Sequence, residues 1–292
     1  HTLYQVEAHI KMAESLFADI RPGLEKSIIW AGKPHHRTRY SIVYIHGFSA
    51  SKEELRPVPD IVAASLGANI YYTRLTGHGR TAEAMLEASV SAWVKDLAEA
   101  FEIGTMIGDK VIILSCSTGG TLVAAGMAKR IFSEKLFSTV FFAPNFGVQD
   151  PMATLLTWPL ARYWAPFIAG EMQTSMPRND LHARYWTTSY PTISLIPMMQ
   201  LIGRVQSADM DKTTVPALFY FSPDDKVVDP QKTENFITRW HGPKSTIRIN
   251  GGDSEDELNH LITGQVVSPS QVKRAADTVI RWHNRIRQRA DQ

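Results

Sequence analysis

The chain has a single cysteine, Cys116, in 292 residues. One thiol excludes an intramolecular disulfide framework and a Cys-rich zinc site, and no metal is expected. Long hydrophobic runs are lacking too. None approaches the roughly 18 residues that span a bilayer, so stable membrane insertion is not expected. Charge of one sign is missing: 31 Lys plus Arg face 29 Asp plus Glu, a formal +2. That balance carries no footprint of a nucleic-acid partner. Neither G-x-x-x-x-G-K-[ST] nor G-x-G-x-x-G occurs, so the glycines build no phosphate cradle, and no cofactor is implied. There is no internal repeat and no low-complexity tract. The chain starts at His1 rather than Met, read as the trace of a removed leader or of a vector-derived residue. Composition suits a soluble protein, cytoplasmic or exported after leader removal, and is silent on oligomeric state.

What is present reads as globular. Apolar residues make up 44% and charged residues 21%, too apolar for a disordered chain. The length suits one large domain, or a domain with an insertion. The first 25 residues read as helical, with Ile10, Ala13, Phe17 and Ile20 at helical spacing and Pro22-Gly23 as the stop. Strands are expected at 27–30, 41–45, 69–74, 110–114, 138–142, 216–221 and 246–249. Several are near-continuous in Ile, Val, Leu, Phe and Tyr, the pattern of strands buried on both faces of a mostly parallel sheet. Helices are expected between them at 52–66, 87–106, 120–132, 230–240 and 271–288. This alternation argues an α/β fold with a doubly wound, mostly parallel sheet.

One stretch breaks the rhythm. Residues 147–212 hold no clear strand, three of the seven Trp (Trp158, Trp164, Trp186) and six Pro. That is too long for a plain loop. It reads as an inserted helical cap between core segments 1–146 and 213–292. The three Trp, with Phe48, are candidates for substrate contact; the competing reading is that they only pack the cap.

Chemistry concentrates where Val111-Ile112-Ile113-Leu114 runs into Ser115-Cys116-Ser117-Thr118-Gly119-Gly120. A buried strand, a serine among small residues and an Ala-rich helix are the context of a nucleophile elbow. The turn is too tight for bulk two residues either side of its apex. Spacing to Gly119 selects Ser117 as the nucleophile, and Ser115 stands where a first glycine is usual. Cys116 would pack beside the turn rather than point at substrate. Upstream, Ile42–Ile45 leads into His46-Gly47-Phe48. Two backbone N–H groups are needed where a tetrahedral oxygen develops charge, and those of Phe48 and Thr118 are assigned to it. His46 reads as a brace for this loop.

Downstream, strand 216–221 opens into Ser222-Pro223-Asp224-Asp225-Lys226-Val227-Val228-Asp229. Asp225 is placed to orient a base, whereas Asp224 and Asp229 suit turn or cap roles. Of ten His, chain order and local context leave His260, after the acidic loop 251–257. A serine hydroxyl is a poor nucleophile until a base of near-neutral pKa takes its proton. A buried Asp holds that base in the right tautomer.

With Ser117, Asp225 and His260 in this order, the chain resembles the α/β-hydrolase superfamily. More narrowly it is similar to the monoacylglycerol lipase and carboxylesterase group, which includes proteins called lysophospholipase or serine aminopeptidase. The likeness rests on His46-Gly47-Phe48, Arg74-Leu75-Thr76-Gly77-His78-Gly79, Trp93 with Asp96, Ser115 to Gly120, Ser222 to Val228, and His260. It covers about 26–146 and 213–288. The resemblance implies cofactor-free hydrolysis of a small ester or lipid-like substrate with an apolar acyl group, through an acyl-enzyme, and a cap that decides the substrate. Two alternatives stay open: a Ser-triad hydrolase of an amide, thioester or C–C bond, and a hydrolase-like scaffold that only binds a small apolar ligand.

Overall fold

The computed structural model describes residues 2–290; His1 lies outside them. In chain order the elements are α1 (Leu3–Ser15), β1 (Ser27–Ile29), β2 (Thr38–Ile45), α2 (Val58–Leu66), β3 (Asn69–Tyr72), α3 (Val90–Ile107), β4 (Gly108–Cys116), α4 (Thr118–Ala128) and β5 (Leu136–Phe142). Then come α5 (Ala161–Ala169), β6 (Met172–Thr174), α6 (Asp180–Tyr185), β7 (Ser189–Pro191), α7 (Leu195–Gln206), β8 (Ala217–Phe221), α8 (Pro230–Arg239), β9 (Lys244–Arg248) and α9 (Val272–Ala290).

Seven strands form one sheet in the order β1-β3-β2-β4-β5-β8-β9. Only β1 runs antiparallel to its neighbour; the other pairings are parallel. From β2 the chain crosses to β3 on one side, and from β4 to β5 on the other. Loops leaving adjacent β2 and β4 therefore diverge and open a crevice at their carboxyl ends, the place where doubly wound sheets bind ligands.

The near-continuous apolar strands bury both faces. Val43, Ile45, Ile113, Phe141 and Phe219 pack with residues of α3, α4, α7 and α8. Ile42, Tyr44, Ile112, Leu114 and Leu218 pack with residues of α2 and α9 on the reverse side. Each such aliphatic side chain contributes about 1.5–3 kcal/mol when fully buried. Between the apolar faces, polar groups on β2 and β3 tie the strands to neighbouring backbone. Ser41 Oγ bonds Gly104 O at 2.7 Å, and Asn69 Nδ2 bonds His36 O at 2.7 Å and Ile107 O at 2.8 Å.

Two expected helices are shorter than their patterns. The first ends at Ser15, and Phe17 instead lies under the Arg74 and Arg80 guanidinium groups. The stretch 52–66 splits into a single 3-10 turn, Lys52–Glu54, and α2, because Pro57 and Pro59 cannot donate within a helix. The expectation of no strand in 147–212 is also corrected. β6 and β7 pair there as a short antiparallel ribbon. They are three residues each, too short for alternation to mark them. Nor is a hydrophobic cluster confined to this segment among the described residues. Leu156, Ala165, Met198 and Leu201 join the main cluster of the sheet, while Trp186 packs with Ala50, Leu261, Val266 and Val267. No helix among the described residues is long and apolar enough to cross a membrane.

Candidate active site

β4 ends in the turn that carries Ser117. Its φ of 48° and ψ of −120° are unfavourable for a residue with a Cβ, strain of the kind that collects at functional sites. The turn is held by Ser117 N–H to Phe142 O at 2.9 Å and by the Asn145 and Gly120 N–H groups to Ser117 O. Gly119 is required there: a Cβ would stand 2.3 Å from Ile45 O and 2.6 Å from His46 O. Its neighbours are spoken for. Ser115 Oγ donates to Val140 O at 3.1 Å. Cys116 is buried on the other side of the sheet, where burial pushes its thiol well up and keeps it neutral.

The loop after β8 brings Asp225 to the same place. Its Oδ1 accepts the N–H groups of Val227 at 2.8 Å and Val228 at 2.9 Å. Its Oδ2 lies 2.7 Å from His260 Nδ1. His260 Nε2 lies 3.1 Å from Ser117 Oγ. The three side chains that chain order singled out thus form one continuous relay. Burial alone would push the His260 imidazole down. The Asp225 charge and hydrogen bond outweigh it, with Glu54 and Asp256 adding, so its pKa stands above the ordinary 6.5. The flanking acids do local work: Asp224 Oδ2 accepts Gly251 N–H at 2.7 Å, and Asp229 caps α8 through Gln231 N–H.

Thr118 is the first residue of α4, and N–H groups of the first helical turn have no intrahelical acceptor. Phe48 follows β2 and lines the same cavity as Thr118, Ser117 and His260. His46 braces this loop: Nδ1 bonds Gly47 O at 2.8 Å and Nε2 accepts Leu75 N–H at 3.0 Å. Burial pushes its pKa down to about 4.

The cavity is about 270 Å³. Of the aromatics expected at substrate, Phe48 and Trp186 line it. Trp186 is buried and packs against His182. Trp158 and Trp164 do not line it. Trp158 ends a 3-10 turn and is 62% exposed. Trp164 donates its indole N–H to Pro159 O at 3.1 Å and packs half-buried against the main cluster. Aromatic content alone carried no information on which way these rings face.

Composition and spacing missed several lining residues, including Glu54, Asn145, Arg178, Tyr190 and Asp256. Asp256 is the most consequential. Its Oδ2 accepts the N–H groups of His260 at 3.0 Å and Leu261 at 2.8 Å, and its Oδ1 meets Arg178 Nε at 3.2 Å. Burial raises its pKa, but those N–H groups and Arg178 outweigh burial and hold it below the ordinary range. An Asp four residues before the candidate base is the one signal that could have found it, as a side chain that bonds nearby backbone. Asp256→Ala strands two N–H groups and parts a largely buried ion pair. A loss of about 3 kcal/mol is expected, read as a lower urea midpoint; an unchanged midpoint would contradict this role. Among the described residues no cluster of His, Cys, Asp and Glu is arranged to hold a metal ion.

Comparison with known proteins places this geometry. The Hydrolase_4 family, described as serine aminopeptidase, S33, matches residues 36–252. A thermostable monoacylglycerol lipase of Bacillus sp. (strain H-257) is 25% identical over 193 residues, 65% of this chain and 72% of that protein. Among solved structures, one from work on the metagenome-derived lipolytic enzymes LipS and LipT superposes with a TM-score of 0.72 at 16% identity, covering 92% of this chain and 99% of that one. A soluble variant of monoglyceride lipase from Saccharomyces cerevisiae, in complex with a substrate analog, gives 0.69 at 13% identity, covering 90% and 91%. With the sheet order, the elbow and a family match over most of its length, the chain belongs to the Hydrolase_4 family and is an enzyme of α/β-hydrolase fold.

Proposed function

We propose that this lipase- and esterase-type α/β-hydrolase cleaves small carboxylic esters through an acyl-enzyme on Ser117. The observation that carries the reading is the buried relay from Ser117 Oγ to His260 Nε2 at 3.1 Å and from His260 Nδ1 to Asp225 Oδ2 at 2.7 Å. Neutral His260 takes the Ser117 proton as Oγ attacks the ester carbonyl. The Phe48 and Thr118 N–H groups receive the oxyanion. Protonated His260 then gives its proton to the leaving alcohol, and the ester C–O bond breaks. Water, deprotonated by His260, attacks the acyl-enzyme, and carboxylic acid leaves as Ser117 is restored. Residues 147–212 act as the cap, since Ser175, Arg178, Trp186, Tyr190, Leu195 and Met198 wall one side of the cavity.

The size of that cavity argues for a short acyl group. At about 270 Å³ it falls just below the roughly 300–1,000 Å³ of pockets that take drug-sized ligands. Across p-nitrophenyl esters from acetate to palmitate, kcat/KM is expected to peak among the shortest chains and to drop roughly tenfold or more by the longest. A maximum at palmitate would sink the short-acyl reading, and inactivity on every chain length would sink ester hydrolysis itself. The family description raises aminopeptidase activity as a competitor, which needs a free acid to hold the substrate amine. The cap acids Glu171 and Asp180 are exposed, Asp256 is already paired with Arg178, and Glu54, the remaining acid on the cavity wall, has its Oε2 taken by the Tyr44 hydroxyl and the Gly47 N–H. Ester cleavage is therefore expected to exceed cleavage of aminoacyl p-nitroanilides.

A further inference from the structure

Glu54 is a buried carboxyl that the relay does not use. It ends the 3-10 turn after β2, and none of the ion pairs among the described residues involves it. Oε2 accepts the Tyr44 hydroxyl at 2.9 Å and the Gly47 N–H at 2.8 Å. The carboxyl also presses on the loop. A Cβ built on Gly47 would stand 2.7 Å from Glu54 Oε1 and 3.0 Å from Ser117 Cβ. Gly47, Glu54 and Ser117 thus meet with no room for one methyl group.

The two peptide planes on either side of Gly47 each have one side-chain anchor. The 46–47 plane is held by its N–H on Glu54 Oε2, and the 47–48 plane by its C=O on His46 Nδ1. A trans peptide is planar, so a C=O tied to His46 turns the Phe48 N–H to the opposite side. Glycine without a Cβ would otherwise rotate freely about both soft dihedrals. We propose that Glu54 is a positioning residue for the oxyanion loop: its carboxyl holds the Gly47 N–H and so keeps the Phe48 N–H aimed at the substrate oxygen beside Ser117. This rests on the reading of Ser117 and Phe48 given above.

An ionised carboxylate here would oppose the negative charge that develops on the substrate oxygen. Burial raises the Glu54 pKa and outweighs the lowering by the Gly47 N–H, the Tyr44 hydroxyl, His260 and Cys116. Holding the Gly47 N–H needs only an acceptor oxygen, so an amide of the same size should serve.

The test compares Glu54→Leu and Glu54→Gln on a short p-nitrophenyl ester, with kcat expressed per fluorophosphonate-reactive site. Leu keeps the bulk but loses the acceptor. E54L is expected to lose about 100- to 1,000-fold in kcat, the cost of an oxyanion donor, with KM unchanged. E54Q is expected to restore most of that loss. If E54L does not fold, Glu54→Asp, whose carboxyl falls one methylene short of Gly47, is expected to show the same loss in kcat. Wild-type kcat in E54L or E54D, or a loss in E54Q as large as in E54L, would overturn the inference. The underlying reading fails separately: if Ser117→Ala keeps its activity, the nucleophile is misassigned, whatever Glu54 does.

Discussion

Ser117→Ala is expected to lower kcat by about six orders of magnitude on any ester that the wild type cleaves, the scale seen when a triad serine is removed. The fold should survive. The only protein hydrogen bond of Ser117 Oγ among the described residues is to His260. The turn itself is held through the backbone groups of Ser117, Asn145 and Gly120. An unchanged melting temperature with that loss in kcat is therefore the expected pair of results. Neighbouring groups offer no easy substitute, since Ser115 Oγ is committed to Val140 O and the Cys116 thiol is held neutral on the far side of the sheet. Activity within tenfold of wild type in the variant would show that the attacking group lies elsewhere.

Asp225→Asn should cost about 10⁴ in kcat, for a reason the geometry makes specific. Oδ1 is clamped by the N–H groups of Val227 and Val228. Only an oxygen can accept both, so an asparagine would place its oxygen there and turn its NH₂ toward His260 Nδ1. Nδ1 must then accept, the ring proton moves to Nε2, and the nitrogen that faces Ser117 can no longer take a proton. The same contact sets the pH dependence. In the proposed mechanism, attack requires neutral His260. In the wild type the Asp225 charge and hydrogen bond outweigh burial and raise its pKa above the ordinary 6.5. Activity should therefore fall away as pH drops through a value above 6.5. A kcat/KM profile whose acid limb lies at or below 6.5 would contradict this balance.

How much of this was legible beforehand depended on the range of the interactions. All seven strands of the main sheet fall on the expected runs, because burial on both faces writes continuous apolar sequence. Ser117 and Asp225 could be picked out because each follows shortly after a strand end with local steric or turn demands, and His260 because chain order and local context left no other histidine. Their chain order then did the work that distance does in three dimensions. Glu54 and Asp256 carry no such mark. Their importance arises from Gly47 and from the loop 256–261 folding back onto them, contacts that periodicity does not encode. The segment 147–212 was least legible. Its side chains pack partly into the core of the sheet and partly outward, so the same Trp content produced one wall residue, Trp186, and two that do not line the cavity.

The most direct test of the central claim is to react the wild type and Ser117→Ala with a fluorophosphonate probe and map the adduct by peptide mass spectrometry. The account predicts one adduct per wild-type chain, on Ser117, and none in the variant. An adduct on Ser115 or any other residue, or a wild-type enzyme that cleaves esters yet takes up no probe, would contradict it.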